Sequence, residues 1–134
     1  LMLQSIRRYV ENGGKLLAEC GGMMYLCDEI RDKNGDVYPM AGVLHQSATM
    51  ENMKLRLGYR TLLYNDARLK GHEFHYSRLV EQQDPLPSCA VAYTAKGVET
   101  DTPLYHYKNV WAGYTHLYWA DPAGNDWFTK FIIK

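Results

Sequence analysis

Cys20 stands where a short apolar run ends and two glycines follow. The run Lys15 to Glu19 has the length and composition of a buried strand, and Gly21 and Gly22 come directly after the cysteine. This pattern is typical of a nucleophile elbow, a strained strand-to-helix turn that holds a reactive side chain above the edge of a sheet. The glycines allow close approach of a substrate carbonyl, and the N-terminal end of the following helix favours a thiolate. The alternative is a buried structural cysteine, because free cysteine is among the most buried residue types.

His116 ends a second apolar and aromatic run, Trp111 to Tyr118, which indicates another strand. A neutral imidazole can take the proton of a thiol and return it to a leaving amine. Wide separation along the chain is no objection, because such pairs meet in the fold. We therefore predict that Cys20 is a nucleophile and that His116 is its base.

The composition fits one enzyme domain and excludes several other classes. The chain has 134 residues, 46% of them hydrophobic, which is enough for one core. Its 15 basic residues balance 15 acidic ones and no basic run alternates with aromatic residues, so we expect no nucleic acid partner. No apolar stretch approaches the roughly 20 residues that span a bilayer, and no signal peptide is evident, so we expect no membrane partner and a cytoplasmic location.

The three cysteines lack CxxC spacing, which argues against a disulfide framework and a structural zinc site. We expect Cys27 and Cys89 to lie in or near the core rather than to act in catalysis. His72 and His75 would point to opposite faces of a strand, so we expect no shared metal. Arg60 has two open interpretations: an incidental strand cation, or a partner for a carboxylate of a substrate.

Hydrophobic periodicity and turn residues predict alternating helices and strands. Together they indicate one α/β domain with a largely parallel central sheet and helices on its faces. The predicted helices cover residues 2–12, 23–30 and 126–134; the predicted strands cover 15–19, 43–50, 55–64, 73–80, 91–95 and 105–118, with a turn at 32–36.

Four motif blocks occur in an order that resembles a known family. They are ECGG at 19–22 with MYL at 24–26, GYR at 58–60, GHEFHYS at 71–77, and YTHL at 114–117. The order resembles the C-terminal glutaminase domain of cobyrinic acid a,c-diamide synthase, in the cobalamin-pathway branch of the class I glutamine amidotransferases. The resemblance covers nearly the whole chain, and block 71–77 is its most specific part.

The resemblance implies a role for each matching residue. Cys20 would attack the side-chain amide of glutamine, and His116 would act as base and acid, with Gly21 and Gly22 forming the elbow and part of the oxyanion hole. Many class I relatives carry a glutamate two residues after the histidine, whereas this chain has Tyr118, which suits a Cys-His dyad. The residues that would orient the site or contact the substrate are Glu73, His75 and Arg60.

The resemblance also implies a wider setting. Residues 1–134 would form the glutaminase domain of a larger synthetase, in a three-layer, flavodoxin-like fold whose N-terminal strands and oxyanion loop would precede Leu1. Because no GxxxxGK[ST] motif occurs here, ATP and Mg²⁺ would bind upstream, and we expect no cofactor in this chain. Glutamine and, through the upstream domain, a tetrapyrrole would be its partners, a homodimer is one assembly it allows, and the isolated chain would have little or no activity.

Two other functions stay open at this point. The first is the glutaminase domain of another cobalamin-branch or cell-wall amidotransferase, in which Cys20 and His116 keep their roles and the ammonia acceptor differs. The second is a binding or assembly module that keeps the fold without turnover. The upstream sequence would distinguish the first alternative from a cobyrinic acid a,c-diamide synthase. Glutamine-dependent labelling of Cys20 would distinguish the second alternative from an enzyme.

Overall fold

A computed structural model describes residues 1–133, which form three helices and twelve strands. The helices are α1 (Met2–Glu11), α2 (Gly21–Tyr25) and α3 (Pro122–Ile133). The strands are β1 (Leu16–Glu19), β2 (Glu29–Arg31), β3 (Val37–Pro39), β4 (Ser47–Thr49), β5 (Arg56–Tyr64), β6 (Ala67–His75), β7 (Arg78–Leu79), β8 (Val91–Thr94), β9 (Glu99–Thr100), β10 (Leu104–Tyr107), β11 (Val110–Gly113) and β12 (His116–Leu117).

The strands form three small sheets, in the orders β1-β11-β10, β12-β6-β5-β8-β9 and β3-β2-β4-β7. Only β1 with β11 and β2 with β4 pair in parallel within residues 1–133. The α/β class is therefore confirmed, but the prediction of a largely parallel sheet is wrong for this part of the chain. The reason is that short turns join most neighbours: β5 and β6 meet at Asn65, whose φ is +52°, and such a hairpin can only be antiparallel.

The first helix and strand lie close to their predicted bounds, but the elbow helix does not. Helix α1 stops before Gly13, which takes a φ of +88°. Helix α2 has five residues rather than the predicted eight, because residues 29–31 leave it to form a strand that pairs with both β3 and β4.

Several predicted strands differ in extent from those observed. The strand predicted over 73–80 starts much earlier, at Ala67, and is divided into β6 and β7. The run 105–118 contains three strands, because Lys108, with φ +52°, turns the chain between β10 and β11. The strand predicted over 43–50 is reduced to β4, and the closing helix begins at Pro122, as proline favours the first helical position. Lys134, the predicted end of that helix, lies outside the described residues.

Two apolar clusters support these sheets. The larger one packs α1 and α2 against β1 and β11, with Val10, Met23 and Val110 fully buried. The second cluster lies under β5, β6 and β8, around Leu62 and Leu69. The first cluster therefore fixes the turn that carries Cys20.

The three tryptophans of the chain lie together where α3 packs on the sheets. The ring of Trp127 lies 5.5 Å from that of Trp111 and 5.7 Å from that of Trp119, measured between centroids. Phe131, one turn further along α3, lies 5.2 Å from Trp111. We call this group, Trp111, Trp119, Trp127 and Phe131, the tryptophan cluster. Across residues 1–133, no helix is long and apolar enough to cross a membrane.

Candidate active site

The backbone at Cys20 has the strained conformation of an elbow. Its φ of 54° and ψ of −111° lie in a region that L-residues rarely occupy, at a cost of about 1–3 kcal/mol. Two hydrogen bonds hold the turn: the Cys20 N–H donates to Gly113 O at 2.8 Å, and Cys20 O accepts from Met24 N at 3.1 Å. The prediction of a tight turn between β1 and a helix is therefore confirmed.

The thiol of Cys20 is half-buried in the resting site. Its Sγ lies 3.8 Å from the backbone oxygen of Phe74. Burial raises its pKa, a hydrogen bond from the Gly21 backbone lowers it, and the carboxylates of Glu73 and Glu19 raise it further. The N–H at the start of α2 thus acts in the predicted direction, but burial outweighs it and the pKa of the resting thiol is raised.

The glycines after Cys20 leave open space beside the backbone. A methyl group placed on Gly21 would meet no atom within 4 Å, so the space beside the backbone there is open. Gly22 lies closer to the core, where a methyl group would be 3.5 Å from Ala18. A carbonyl oxygen can thus approach the backbone N–H groups that follow Cys20, as an oxyanion hole requires.

His116 follows the strand beside the one that carries the cysteine. Strands β1 and β11 run in parallel with Glu19 opposite Gly113, so Cys20 and the segment leading to His116 leave the same end of this sheet. His116 then pairs with His72 of β6 and its side chain is exposed. Among the described residues the Cys20 thiol makes no hydrogen bond to His116, and catalytic hydrogen bonds often tighten only when substrate binds.

Glu19 links the two halves of this site, and the sequence analysis did not single out its side chain. Its Oε2 accepts the backbone N–H of Leu117 at 2.9 Å, across 98 positions of sequence. Because Glu19 precedes Cys20 and Leu117 follows His116, this bond ties the neighbours of both residues together. The one available signal was a carboxylate beside the predicted nucleophile.

A second carboxylate, Glu73, lies fully buried beneath the site with 1% of its surface exposed. Its Oε1 accepts Arg60 Nε at 2.7 Å and Thr102 Oγ1 at 2.8 Å, and its Oε2 accepts His75 Nε2 at 2.5 Å. Burial raises the pKa of Glu73, but the hydrogen bonds from His75, Thr102 and Arg60 and the charge of His75 outweigh it and lower the pKa to about 2. Glu73 is therefore a carboxylate throughout the neutral range.

His75 connects this buried carboxylate to the segment that carries His116. Its Nδ1 lies 2.7 Å from Ser77 O, and its ring stacks on Tyr114 with centroids 3.6 Å apart. A carbonyl oxygen and a carboxylate oxygen thus lie within hydrogen-bond distance of the two ring nitrogens of His75, so both nitrogens are engaged inside the protein. Tyr114 OH in turn pairs with Ser77 Oγ at 2.9 Å. We call Arg60, Glu73, His75, Ser77, Thr102 and Tyr114 the buried polar network.

Arg60 is more than an incidental cation of its strand. It is buried at 8% exposure, and besides Glu73 its guanidinium donates to Tyr59 O at 2.9 Å. Gly58 makes room for it, since a methyl group there would lie 2.8 Å from Nη1. Arg60 thus binds a carboxylate of the protein itself, and its contact with a substrate stays a prediction.

The remaining predictions for cysteines and histidines are answered by burial. Cys27 is fully buried and burial raises its pKa to about 12, while Cys89 packs against the second apolar cluster and burial raises its pKa to about 11. Their assignment to the core is confirmed. His72 and His75 do lie on opposite faces of β6, with His72 beside Tyr59. Within residues 1–133 no three His, Cys, Asp or Glu side chains are grouped as a metal site would require.

A cavity of about 1080 Å³ borders the buried polar network. Its lining includes Glu73, His75 and Tyr114. Cys20 and His116, both within the described part of the chain, are not among the lining residues. Gln46 Nε2, buried and without a hydrogen bond, belongs to the same wall. This cavity is therefore lined by the buried polar network rather than by the predicted nucleophile.

Comparison with known proteins agrees with the motif blocks. Residues 1–124 match the family described as the CobB/CobQ-like glutamine amidotransferase domain. Among curated relatives, the cobyrinate a,c-diamide synthases of Caldanaerobacter subterraneus subsp. tengcongensis and Fusobacterium nucleatum subsp. nucleatum are 37% and 38% identical over 87% of this chain and 27% of their own length. The hydrogenobyrinate a,c-diamide synthase of Pseudomonas aeruginosa is 33% identical over 87% of this chain and 26% of its length.

The chain thus spans about a quarter of the length of these relatives. The match runs through the elbow, the buried polar network and the segment of His116, which are the parts of the chain described above. This chain belongs to the family of CobB/CobQ-like glutamine amidotransferase domains.

Proposed function

We propose that this chain hydrolyses glutamine and releases ammonia, with Cys20 as nucleophile and His116 as base and acid. His116 takes the thiol proton, and the sulfur attacks the amide carbon of glutamine to give a tetrahedral oxyanion. The oxyanion is stabilised by backbone N–H groups after the elbow. The C–N bond then breaks as His116 gives its proton to the nitrogen. Ammonia departs, and a glutamyl thioester on Cys20 remains.

A water molecule completes the cycle. His116 removes a proton from the water as its oxygen attacks the thioester carbon, and the C–S bond then breaks. The returning proton restores the thiol, and glutamate leaves. One histidine therefore serves both halves of the reaction, as a base–acid pair must when the nucleophile is regenerated.

The observation that carries this proposal is the strained backbone of Cys20. A turn at φ 54° and ψ −111° is costly, and a cysteine serves it no better than other L-residues do. Such strain is concentrated at active sites, where it fixes a reacting group in place. The raised pKa of the resting thiol fits a nucleophile that needs a base at the moment of attack rather than one that is already ionised.

We further propose that the ammonia amidates the a and c carboxylates of cobyrinic or hydrogenobyrinic acid. The support is the agreement between the four motif blocks and the names of the relatives. ATP and Mg²⁺ would act outside this chain, in a synthetase part that also holds the tetrapyrrole. A cytoplasmic setting fits three free cysteines, since thiols persist in reducing compartments. A three-layer arrangement of the complete glutaminase part belongs to the same proposal.

The test uses the complete synthetase that contains this chain, assayed with glutamine or with free ammonia as nitrogen donor. We expect Cys20→Ser to abolish the glutamine-dependent reaction and to leave the ammonia-dependent one. Cys27→Ser and Cys89→Ser are matched controls that should keep both. A diazo-ketone analogue of glutamine should label Cys20 and neither of the other thiols.

Three outcomes would contradict parts of this proposal. Equal loss with both donors in Cys20→Ser would show that Cys20 supports the fold rather than glutamine hydrolysis. Amidation of a different acceptor, such as cobyric acid precursors or a cell-wall intermediate, would overturn the assigned acceptor while leaving the glutaminase role. Absence of labelling and of glutamine hydrolysis in the wild-type protein would favour a non-catalytic module.

A further inference from the structure

We infer that Glu19 positions His116 for the proton transfers of glutamine hydrolysis, an inference that rests on the function proposed above. Its carboxylate fixes the main chain next to the histidine and places a negative charge beside it. Glu19 thereby supplies, from the end of β1, the carboxylate that the family resemblance assigns to a position two residues after the histidine.

Tyr118 occupies that position here and does not supply a carboxylate. Its side chain is 60% exposed, and its backbone N–H donates to Lys70 O at 2.8 Å to continue the pairing with β6. A phenol directed to solvent does not hold an imidazole in place. Any carboxylate that orients His116 therefore comes from another position.

Glu19 has the position for this. It is the last residue of β1 and stands opposite Gly113, the last residue of the parallel strand β11. Its Oε2 accepts the Leu117 N–H at 2.9 Å, the usual length of an N–H···O hydrogen bond. The residue before Cys20 is thus bonded to the residue after His116, so this contact helps to fix the separation of nucleophile and base.

Glu19 also interacts electrostatically with the histidine. Burial raises the pKa of Glu19, while the Leu117 N–H and the charge of His116 lower it. We take the carboxylate to favour the imidazolium that forms when His116 takes the thiol proton, as a negative charge near an imidazole does. The strand partner of His116 is His72, another imidazole, which offers no such charge.

The test compares Glu19→Gln and Glu19→Ala with wild type in the complete synthetase. Glutamine keeps the acceptor for Leu117 and removes the charge, whereas alanine removes both. We expect kcat for glutamine hydrolysis to fall at least about 10-fold in Glu19→Gln and further in Glu19→Ala, a share of the ~100-fold or more that positioned proton transfer supplies. KM for glutamine and ammonia-dependent synthesis should stay near wild type. Glu99→Gln, at an exposed strand glutamate, is the matched control.

A double-mutant cycle separates positioning from a purely structural role. If Glu19 acts through His116, adding Glu19→Gln to His116→Ala causes no further loss. An equal loss in both backgrounds, or wild-type kcat in Glu19→Gln, would overturn the inference while leaving the proposed function intact. Lack of glutamine hydrolysis in the wild-type synthetase would instead overturn the function itself. Should Glu19→Ala lose ammonia-dependent synthesis as well, indicating misfolding, the isosteric Glu19→Gln pair still decides the question.

Discussion

Glu73 should contribute about 3 kcal/mol to the free energy of unfolding at neutral pH. Its replacement by glutamine should remove this contribution. Its pKa is about 2 in the folded protein against an ordinary value of 4.5. The two pKa values differ by about 2.5, and a difference of one in pKa corresponds to about 1.4 kcal/mol. The ionised carboxylate therefore stabilises the folded protein by about 3 kcal/mol. A second route gives the same size, since removing one partner of a buried ion pair costs about 3–5 kcal/mol.

The sign of the pH dependence follows from the direction of the pKa change. Because folding lowers the pKa of Glu73, its contribution is fully present above pH 4.5 and is lost as the pH falls from 4.5 towards 2. A glutamine cannot lose a proton, so Glu73→Gln lacks this contribution at every pH. The gap between wild type and variant should therefore be largest near pH 7 and close progressively below about pH 4.5.

Urea unfolding of both proteins, repeated from neutral to acid pH, measures this gap. Glu29→Gln is the matched control, because Glu29 pairs with Arg31 at 3.0 Å but both side chains are partly exposed. Exposed pairs contribute about 0–1 kcal/mol, so this control should behave almost as wild type. A Glu73→Gln protein within about 1 kcal/mol of wild type at pH 7, or a gap that does not change with pH, would refute the reasoning.

Three further predictions concern the site. His116→Ala should slow glutamine hydrolysis at least about 100-fold in steady-state assays, and a near-normal rate would show that another group is the base. Cys20→Gly should be more stable to urea than Cys20→Ala despite the usual preference for alanine, because glycine relieves a conformation that costs about 1–3 kcal/mol; the reverse order would mean that the turn is not strained. Gly71→Ala should lower both stability and kcat, because its methyl group would lie 2.5 Å from His116 O, and unchanged kinetics would show that β12 shifts without consequence.

The sequence predicts best what local pattern decides. The elbow follows from an apolar run, one cysteine and two glycines, and the hydrogen bonds that hold it involve the same residues and the adjacent strand. Strand β6 shows the limit. Its buried face alternates from Leu69 to His75, and the predicted strand began only at Glu73. In the missed part the buried positions are Leu69 and Gly71, and a glycine weakens the apolar alternation that marks a strand.

The polar contacts of the site could not be read from the sequence for a related reason. Glu73 meets Thr102 across 29 positions, Ser77 meets Tyr114 across 37, and Glu19 meets Leu117 across 98. Each contact depends on how separate strands are registered, and no local propensity determines that register. The residue types in blocks 19–22 and 71–77 indicated which side chains could react. Their hydrogen-bond partners could be identified only from the folded structure.

The tryptophan cluster has a practical consequence for experiments on this protein. Because all three tryptophans of the chain lie where α3 packs on the sheets, indole fluorescence reports the packing of that helix. His106 stacks on Trp111 with ring centroids 3.9 Å apart, so the emission of Trp111 also depends on the position of that imidazole. An emission change on adding glutamine would accordingly signal movement of α3 or of the segments that carry Trp111 and Trp119, and a silent spectrum would say nothing about whether the ligand had bound.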